Sequence, residues 1–367
     1  MKKKLLALAV AGAFVAPVAM ADTANVNVYG VFDASLDSTR TGGNNSANQT
    51  KISSNASRVG FKGSEDLGGG TNAVFQIEQG VNVDTGTWGS ANRNTFVGLS
   101  GESWGAVLLG NNDSSYKSST RKMDLFMDSI ADNRSLMGGV GGKSAVITFD
   151  RRSPNSITYN SPDFSGVKIS AQYNAGAELA ASGTSKGSAW SLAGTYAAGP
   201  ISAALAYENH DFGDAVGDMQ IVPATFKDKK ERSYKLAGGY AVDQFAVNVI
   251  FEKTSDDLGA GGRDAFDHRT WYIGGKFNVS AGDAVKLAYT KMNDVGDANE
   301  TGARQMSIGY DHAMSKRTTV YALYTRLDND KSASYSLGFA GASTGAVTGV
   351  AADSDPSAFA IGVKHTF

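Results

Sequence analysis

The fold of this chain is decided by its last ten residues, Ala358-Phe359-Ala360-Ile361-Gly362-Val363-Lys364-His365-Thr366-Phe367. The large apolar residues Phe359, Ile361, Val363 and Phe367 share one parity with a histidine, and small or polar residues occupy the other. Successive side chains of a β-strand point to opposite faces, so this alternation predicts a strand with one apolar face. Two structures fit such a stretch, a strand of a closed barrel and an edge strand of a soluble β-sandwich.

The other end of the chain indicates export. Lys2-Lys3-Lys4 precedes an apolar run that ends in the small-residue sequence Ala19-Met20-Ala21. These are the three parts of a secretory signal peptide. We therefore predict a signal peptide over residues 1–21 and one mature domain over residues 22–367.

The composition indicates alternation of polar with apolar residues. The chain has 44 glycines, 6 prolines and 41% hydrophobic residues. No stretch after the signal peptide approaches the roughly 18 to 20 consecutive apolar residues of a membrane-spanning helix, which excludes a helical membrane protein. A membrane β-protein stays open, because alternation hides such proteins from hydropathy averages. The chain contains no cysteine, so disulfides do not stabilise it.

The charge balance argues against a nucleic-acid partner. The chain has 36 acidic and 34 basic residues, and three of the basic residues belong to the predicted signal peptide. The mature domain is therefore net acidic. Proteins that bind nucleic acids generally present a basic surface.

Short and long connections alternate along the mature domain between alternating segments of about ten residues. Seven short and eight long connections predict sixteen strands. The long polar connections run approximately over residues 37–56, 80–92, 111–150, 175–187, 209–231, 254–268, 292–303 and 328–356. An even strand number with short turns at one end and long loops at the other is typical of a bacterial outer-membrane barrel.

The faces of the strands alone do not separate a barrel from a sandwich. In residues 167–173 and 245–251 apolar side chains alternate with polar ones, and the polar face can meet either solvent or a water-filled lumen. The strand number favours the barrel, because sixteen strands exceed a sandwich and closure removes every exposed edge. We predict an all-β, sixteen-stranded antiparallel transmembrane β-barrel.

The most specific family resemblance lies in Ser57–Gln79, SRVGFKGSEDLGGGTNAVFQIEQ. With Asn155–Gly166 and the final strand, this segment resembles the general trimeric porins of Gram-negative bacteria. The resemblance covers almost the whole mature domain and implies a homotrimer of sixteen-stranded barrels in the outer membrane. It also implies that Phe367 is part of the signal read by the barrel-assembly machinery, and that lipid and lipopolysaccharide surround the barrel.

The longest connection, residues 111–150, is unusually apolar for an exposed loop. It contains Tyr116, Phe126, Ile130 and Leu136 among other apolar residues. Apolar surface of this extent has to be buried against something. The resemblance implies that this third external loop folds into the barrel and narrows the lumen. A helical hairpin outside the cell is the alternative.

The resemblance also implies a constriction in which basic residues of the wall face acidic residues of this loop. Arg58 and Lys62 have the parity opposite to their apolar neighbours, so they face the lumen, and Arg93 joins them if Phe96 points outward. The candidate constriction residues are Arg58, Lys62, Arg93, Arg151 and Arg152 on the wall and Asp113, Asp124, Asp128 and Asp132 on the loop. The sign of ion selectivity is left open, because the domain is net acidic while the wall arginines lie nearest the ion path.

Signals for catalysis or metal binding are weak. Gly341-Ala342-Ser343-Thr344-Gly345 matches G-x-S-x-G, but it lies in a Gly/Ser-rich loop without the strand-to-helix elbow that makes the serine a nucleophile. The four histidines are scattered and show no metal-ligand spacing. We therefore predict no enzyme, no cofactor and no metal site.

The predicted function is passive diffusion of ions and small hydrophilic solutes through a water-filled pore in the outer membrane. Pore width and lining charge set the selectivity of such a channel. A substrate-specific channel or an adhesin on the same barrel is the alternative. A sugar channel would show a run of lumen aromatics, which the sequence does not display, and an adhesin would need no open pore.

Overall fold

A computed structural model describes residues 25–43, 46–140, 143–176, 184, 186–214, 226–262, 264–338 and 345–367. The predicted signal peptide, residues 1–21, and Ser343 lie outside the described residues. No helix within these ranges is both long and apolar enough to span a membrane.

All strands of the described chain belong to one antiparallel sheet. The strands are β1 (Asn25–Arg40), β2 (Asn48–Ser54), β3 (Arg58–Asp66), β4 (Thr71–Asn82), β5 (Thr87–Gly101), β6 (Gly105–Asp113), β7 (Arg152–Asn160), β8 (Val167–Asn174), β9 (Ser188–Ala198), β10 (Ile201–Asp211), β11 (Lys230–Val242), β12 (Phe245–Asp256), β13 (His268–Asn278), β14 (Asp283–Met292), β15 (Ala303–Ala313), β16 (Thr318–Asn329) and β17 (Ser357–Thr366). The sheet carries one short α-helix, α1 (Ser115–Thr120), and 3-10 turns at Arg121–Met123, Asn133–Ser135 and Ala260–Gly262.

The seventeen strands occupy sixteen positions around a closed barrel, because β2 and β3 lie end to end in one position. We call each of these sixteen positions a stave. β2 pairs with Ala34–Arg40 of β1, and β3 pairs with Asn25–Val31 of the same strand. The opposite edge of β1 pairs with β17 over ten residues, which closes the barrel. The prediction of a sixteen-stranded antiparallel barrel is confirmed.

Short turns and longer connections lie at opposite ends of the barrel, as predicted. The turn between β3 and β4 shows how sequence sets a short one: Gly68, Gly69 and Gly70 all have positive φ, at 80°, 61° and 76°. Glycine adopts this backbone region without steric cost. The expected long loop over residues 80–92 is instead largely strand, since Asn82 pairs with Thr87 across a tight turn.

The distribution of apolar and polar side chains on the wall is the reverse of that in a water-soluble protein, with apolar side chains outside and polar ones inside. Leu205, Phe245 and Ile361 point outward and are 63%, 59% and 53% exposed. Inward-facing polar side chains such as Glu252 and Thr270 are completely buried. In a soluble sandwich the apolar face would form the core, so an apolar band around the outside excludes that alternative and fits a lipid environment.

The seam that closes the barrel includes Phe367. Its N–H donates to the carbonyl of Gly30, whose N–H donates back to the carbonyl of Phe367, both at 3.1 Å. The Phe367 ring lies 5.3 Å from the ring of Phe32 on β1. The terminal residue therefore joins the first and last strands through backbone and side chain together.

Deleting Phe367 is expected to lower the yield of folded barrel, because it removes two seam hydrogen bonds and an aromatic contact, each worth about 0.5–1.5 kcal/mol. Phe367→Leu keeps the backbone bonds and an apolar side chain, so it serves as the matched control. The measurement is the fraction of chain in the outer membrane that shows heat-modifiable migration in SDS gels. Equal fractions for the deletion and the wild type would contradict a role of this residue in closure.

Candidate functional site: a constriction inside the barrel

The connection between β6 and β7, residues 114–151, lies inside the barrel, and we call it the inner loop. It begins with α1, capped by the Ser114 hydroxyl, which accepts from the Lys117 N–H at 3.1 Å. The Ser115 N–H then donates to the hydroxyl of Ser191 on β9 at 3.0 Å. The Tyr116 hydroxyl donates to Glu252 on β12 at 2.7 Å. All of these wall side chains point into the lumen.

Further along, the wall holds the inner loop by its backbone. The N–H of Leu125 donates to the Tyr272 hydroxyl on β13, and the Met123 carbonyl accepts from Asn248 on β12, both at 2.9 Å. The Gly138 N–H donates to both oxygens of the Glu252 carboxylate, at 2.9 and 3.1 Å. The part of the inner loop that leads back to β7, residues 143–151, is called the return arm. It is held by Glu231 on β11, whose carboxylate accepts from the backbone N–H groups of residues 146 and 147.

The apolar side chains of the inner loop pack against the wall. Phe126, Ile130 and Leu136, each at most 2% exposed, form one cluster with Leu323 and Leu327 of β16. This burial explains why an external connection carries so much apolar surface. The sequence alternative of a hairpin outside the cell does not match these contacts.

A buried histidine supports the same return arm. His210 on β10 lies between Glu208 and Glu231, with a carboxylate oxygen 2.9 Å from each ring nitrogen. Its ring stacks on Phe149 of the inner loop at 4.5 Å. Sequence inspection found only scattered histidines, because Glu231 comes from the neighbouring β11 and Phe149 from the inner loop, and Glu208, two residues earlier on β10, is no signal by itself.

Two of the predicted constriction acids stabilise the inner loop from within. Asp132 is fully buried and pairs with Arg121 and Arg134, which hold its pKa well below the usual range despite burial. Asp124 accepts from the backbone N–H groups of Phe126 and Asn133, and burial followed by the charge of Asp132 raises its pKa to about 6. Neither carboxylate is open to the lumen.

Asp128 reaches across from the inner loop to the wall. It has a left-handed backbone, φ 66°, and its carboxylate lies 3.0 Å from Arg121 and 3.6 Å from Arg58 of β3. Arg58 in turn lies 3.8 Å from Glu78 of β4. Loop and wall therefore meet through a chain of alternating charges.

The wall carries two such groups of charges. In the first, Glu78 pairs with Arg58 and Arg93 and accepts from the Tyr29 hydroxyl at 2.9 Å. In the second, Asp113 lies 2.9 Å from Arg152 and 2.7 Å from Lys117 of α1. The two groups follow one another around the wall from β3 to β7.

The remaining predicted residues lie apart from these groups. Lys62 faces the lumen on the same strand as Arg58, four positions further along β3. Its ammonium group lies 5.1 Å from the centre of the Tyr29 ring. No ion pair of Lys62 occurs within the described ranges. Arg151, the last residue of the inner loop, is buried, and burial lowers its pKa while the charges of Glu208 and Glu231 oppose that shift.

Sequence reasoning placed Asp113 across the lumen and Phe96 outside the barrel, and both placements are wrong. Asp113 ends β6 on the wall, directly paired with Arg152. Phe96 lines a cavity of about 520 Å³ inside the barrel. The register shifts at residues 77–81 break the parity rule on which the placement of Phe96 depended. Asp113 was assigned to the loop because the long connection was expected to begin at residue 111, whereas β6 continues to Asp113.

Four charged residues that pair with the predicted site residues were missed by sequence reasoning: Glu78, Lys117, Arg121 and Arg134. The parity rule could have found Glu78, because it alternates with the outward-facing Ile77 on β4. The other three belong to the inner loop, where no periodic pattern indicates a direction.

The chain resembles bacterial outer-membrane proteins in both sequence and structure. The family model of the Gram-negative porin matches residues 7–332. Outer membrane porin protein 32 of Delftia acidovorans is 28% identical over 377 residues, covering 100% of both chains. The solved anion-selective porin from Comamonas acidovorans aligns with a TM-score of 0.78 at 22% identity, over 94% of this chain and 100% of that one. A trimer form of OmpT from Vibrio cholerae aligns with a TM-score of 0.67 at 14% identity, over 94% and 100%.

Replacing Glu252 by Ala is expected to loosen the inner loop, because it leaves the buried Gly138 N–H without its partner, at about 1–3 kcal/mol, and leaves the Tyr116 hydroxyl with Ser233 alone. The measurement is the frequency of brief closures in single-channel recordings, which should rise clearly. Glu300→Ala removes an exposed carboxylate elsewhere and is the control. Identical closure frequencies in both variants would contradict anchoring by Glu252.

Conduction is expected to depend on pH through Lys117. Burial lowers its pKa to about 8, although the Asp113 carboxylate opposes that shift. Lys117 is therefore charged below this pH and loses its positive charge above it. The zero-current potential in a KCl gradient should move toward cation preference between about pH 7 and about pH 9. Lys117→Met should abolish this shift, and an unchanged shift in that variant would assign it to another group.

Proposed function

This chain belongs to the Gram-negative porin family, and we propose that the charged gap between its inner loop and the wall from β3 to β7 sets the width and ion preference of its pore. The protein is an outer-membrane porin. The observation that carries the proposal is the approach of Asp128 on the inner loop to Arg58 on the wall, at 3.6 Å. A loop bound to the wall by hydrogen bonds narrows the lumen at a fixed place.

Transport through this gap involves no chemical step. Ions and small hydrophilic solutes diffuse through water, and the barrier they meet depends on pore width and on nearby charge. The family and fold indicate a channel and not an enzyme. We propose that no residue of the constriction acts as a catalyst.

The lining charges support a weak preference for anions. Arg134, Asp124 and Asp132 are buried within the inner loop. The remaining five basic side chains meet three acidic ones, namely Arg58, Arg93, Lys117, Arg121 and Arg152 against Glu78, Asp113 and Asp128. Charges in the wide vestibules are screened within about 8 Å at physiological salt. A unit charge about 4 Å from the ion path contributes on the order of 1 to 4 kcal/mol, so the gap dominates. The aligned Comamonas acidovorans porin is described as anion-selective.

The proposed assembly is a homotrimer in the outer membrane. The fold alignment with a trimer form of a Vibrio cholerae protein supports an oligomer. We also propose that the barrel-assembly machinery reads the strand that ends in Phe367, and that lipid and lipopolysaccharide surround the apolar outer face. The signal peptide over residues 1–21 would be removed during export.

Deleting residues 118–137 is expected to raise the single-channel conductance, because this segment occupies the lumen and contributes no hydrogen bond to the strand ladder. Folding is checked by heat-modifiable migration in SDS gels. Unchanged conductance from normally folded channels would show that this segment is not the constriction.

Replacing both Arg58 and Arg152 by Glu is expected to move the zero-current potential in a KCl gradient toward cation preference, because two positive charges become negative at the gap. Lys62→Glu changes a charge on the same lumen face but away from the inner loop, so a smaller shift per charge is expected. A double variant with the wild-type potential, or an equal shift per charge from Lys62→Glu, would place the constriction elsewhere.

A further inference from the structure

A row of basic side chains runs around the outside of the barrel at the end that carries the longer connections. Its members follow on five consecutive staves and share the parity of the exposed apolar residues: Lys253 on β12, Arg269 on β13, Lys291 on β14, Arg304 on β15 and Arg326 on β16. The longer connections of a bacterial outer-membrane barrel lie on the cell exterior. This row, the basic row, therefore lies at the level of the outer leaflet's headgroups.

The register of the sheet places like charges opposite each other. Lys253 pairs directly with Arg269, and Lys291 pairs directly with Arg304. Like charges in directly opposed cross-strand positions destabilise a sheet. This like-charge pairing occurs on two neighbouring hairpins. An anion bound between the paired side chains would reduce their repulsion.

Protein carboxylates form ion pairs with only one end of the basic row. Asp328 lies 3.2 Å from Arg304 and 2.5 Å from Arg326, and Asp355 lies 3.0 Å from Arg326. Lys253, Arg269 and Lys291 form no ion pair with any part of the chain that the structure describes. The Asp267 carboxylate is still close enough to Lys253 and Arg269 to feel both of their charges. Lys291 is therefore the cation of the basic row with no such neighbour among the described residues.

An apolar groove of about 570 Å³ lies directly below the basic row on the same outer face. Its floor is Gly275, and its sides include Leu287, Tyr289, Met306 and Tyr324. Tyr289 and Met306 face each other in the register, one row below the pair of Lys291 and Arg304. Two residues along a strand span about 7 Å, so the groove begins immediately under the cations.

Cations above an apolar groove match the chemistry of one amphipathic ligand. We propose that this surface binds the phosphorylated glycolipid of the outer leaflet, the lipid A part of lipopolysaccharide. The Lys291 and Arg304 side chains bind a phosphate, and one acyl chain lies in the groove over Gly275. The proposal assigns a site to the general lipid surroundings proposed above, and it does not depend on how the pore conducts.

Gly275 offers a clean test of the groove. No other atom lies within 4 Å of the place where its Cβ would be, and its backbone needs no glycine. A Cβ at this position therefore meets no clash, and Gly275→Leu places an apolar side chain in the groove. Gly194 on β9 has the same open surroundings on another stave, so Gly194→Leu is the matched control. For charge, Lys291→Glu with Arg304→Glu is compared with Arg40→Glu, an outward arginine at the same end of β1.

The experiment is native mass spectrometry of the detergent-purified protein with added diphosphoryl lipid A. We expect the wild type to bind it at least about tenfold more tightly than fully dephosphorylated lipid A. The charge variant and Gly275→Leu should each lose about tenfold in affinity, while both controls bind as the wild type does. Inorganic phosphate alone should not compete, because it lacks the acyl chain.

Three results would overturn the proposal. Equal affinity of the charge variant and the wild type would show that the basic row does not bind phosphate. Equal losses of lipid A affinity in the control variants would show that lipid A binds nonspecifically around the barrel. If Gly275→Leu left lipid binding intact but dissociated the oligomer, the groove would belong to an interface with a second copy. Single-channel conductance of the same variants should be unchanged, so failure of this proposal is separable from failure of the proposed pore function.

Discussion

Pairing every strand edge is the constraint on which this structure depends, because hydrocarbon offers no partner for an unpaired N–H or C=O. The pairing of β1 with β17 satisfies the last two edges. Closure then fixes which face of each strand is outside. Since alternate residues must meet lipid, the polar half of every strand has to line the lumen, and a water-filled interior follows from the ladder itself.

A polar lumen would be too wide to discriminate without the inner loop, and the loop is held by wall carboxylates that are themselves buried. Glu252 binds Tyr116 and Gly138 at two places on the loop, and Glu231 binds its return arm. The ion pairs of Asp132 with Arg121 and Arg134 join different parts of the loop to each other. Ordering such a segment costs entropy, so a fixed constriction requires many contacts of this kind.

Sequence reasoning recovered the architecture because parity and turn residues are local properties. The terminal strand, the glycine turn at residues 68–70 and the strand number follow from a period of two and from backbone sterics. Directions inside the lumen were recovered only where the strand is regular, as for Arg58. They failed for Phe96, which follows the register shifts between β4 and β5, and within the inner loop. Asp113 was misplaced because β6 runs further than the sequence suggested. In the inner loop, Asp132 looks like a pore acid in sequence, but a fold-dependent pair of arginines buries it.

The proposal of a constricted water-filled pore in each of three assembled barrels is tested most directly by recording the wild-type protein in a planar bilayer. The account predicts stepwise insertion into an open, conducting state that closes in three equal current steps at high voltage. Absence of ionic conductance from correctly folded protein, or closure of the whole current in a single step, would contradict it.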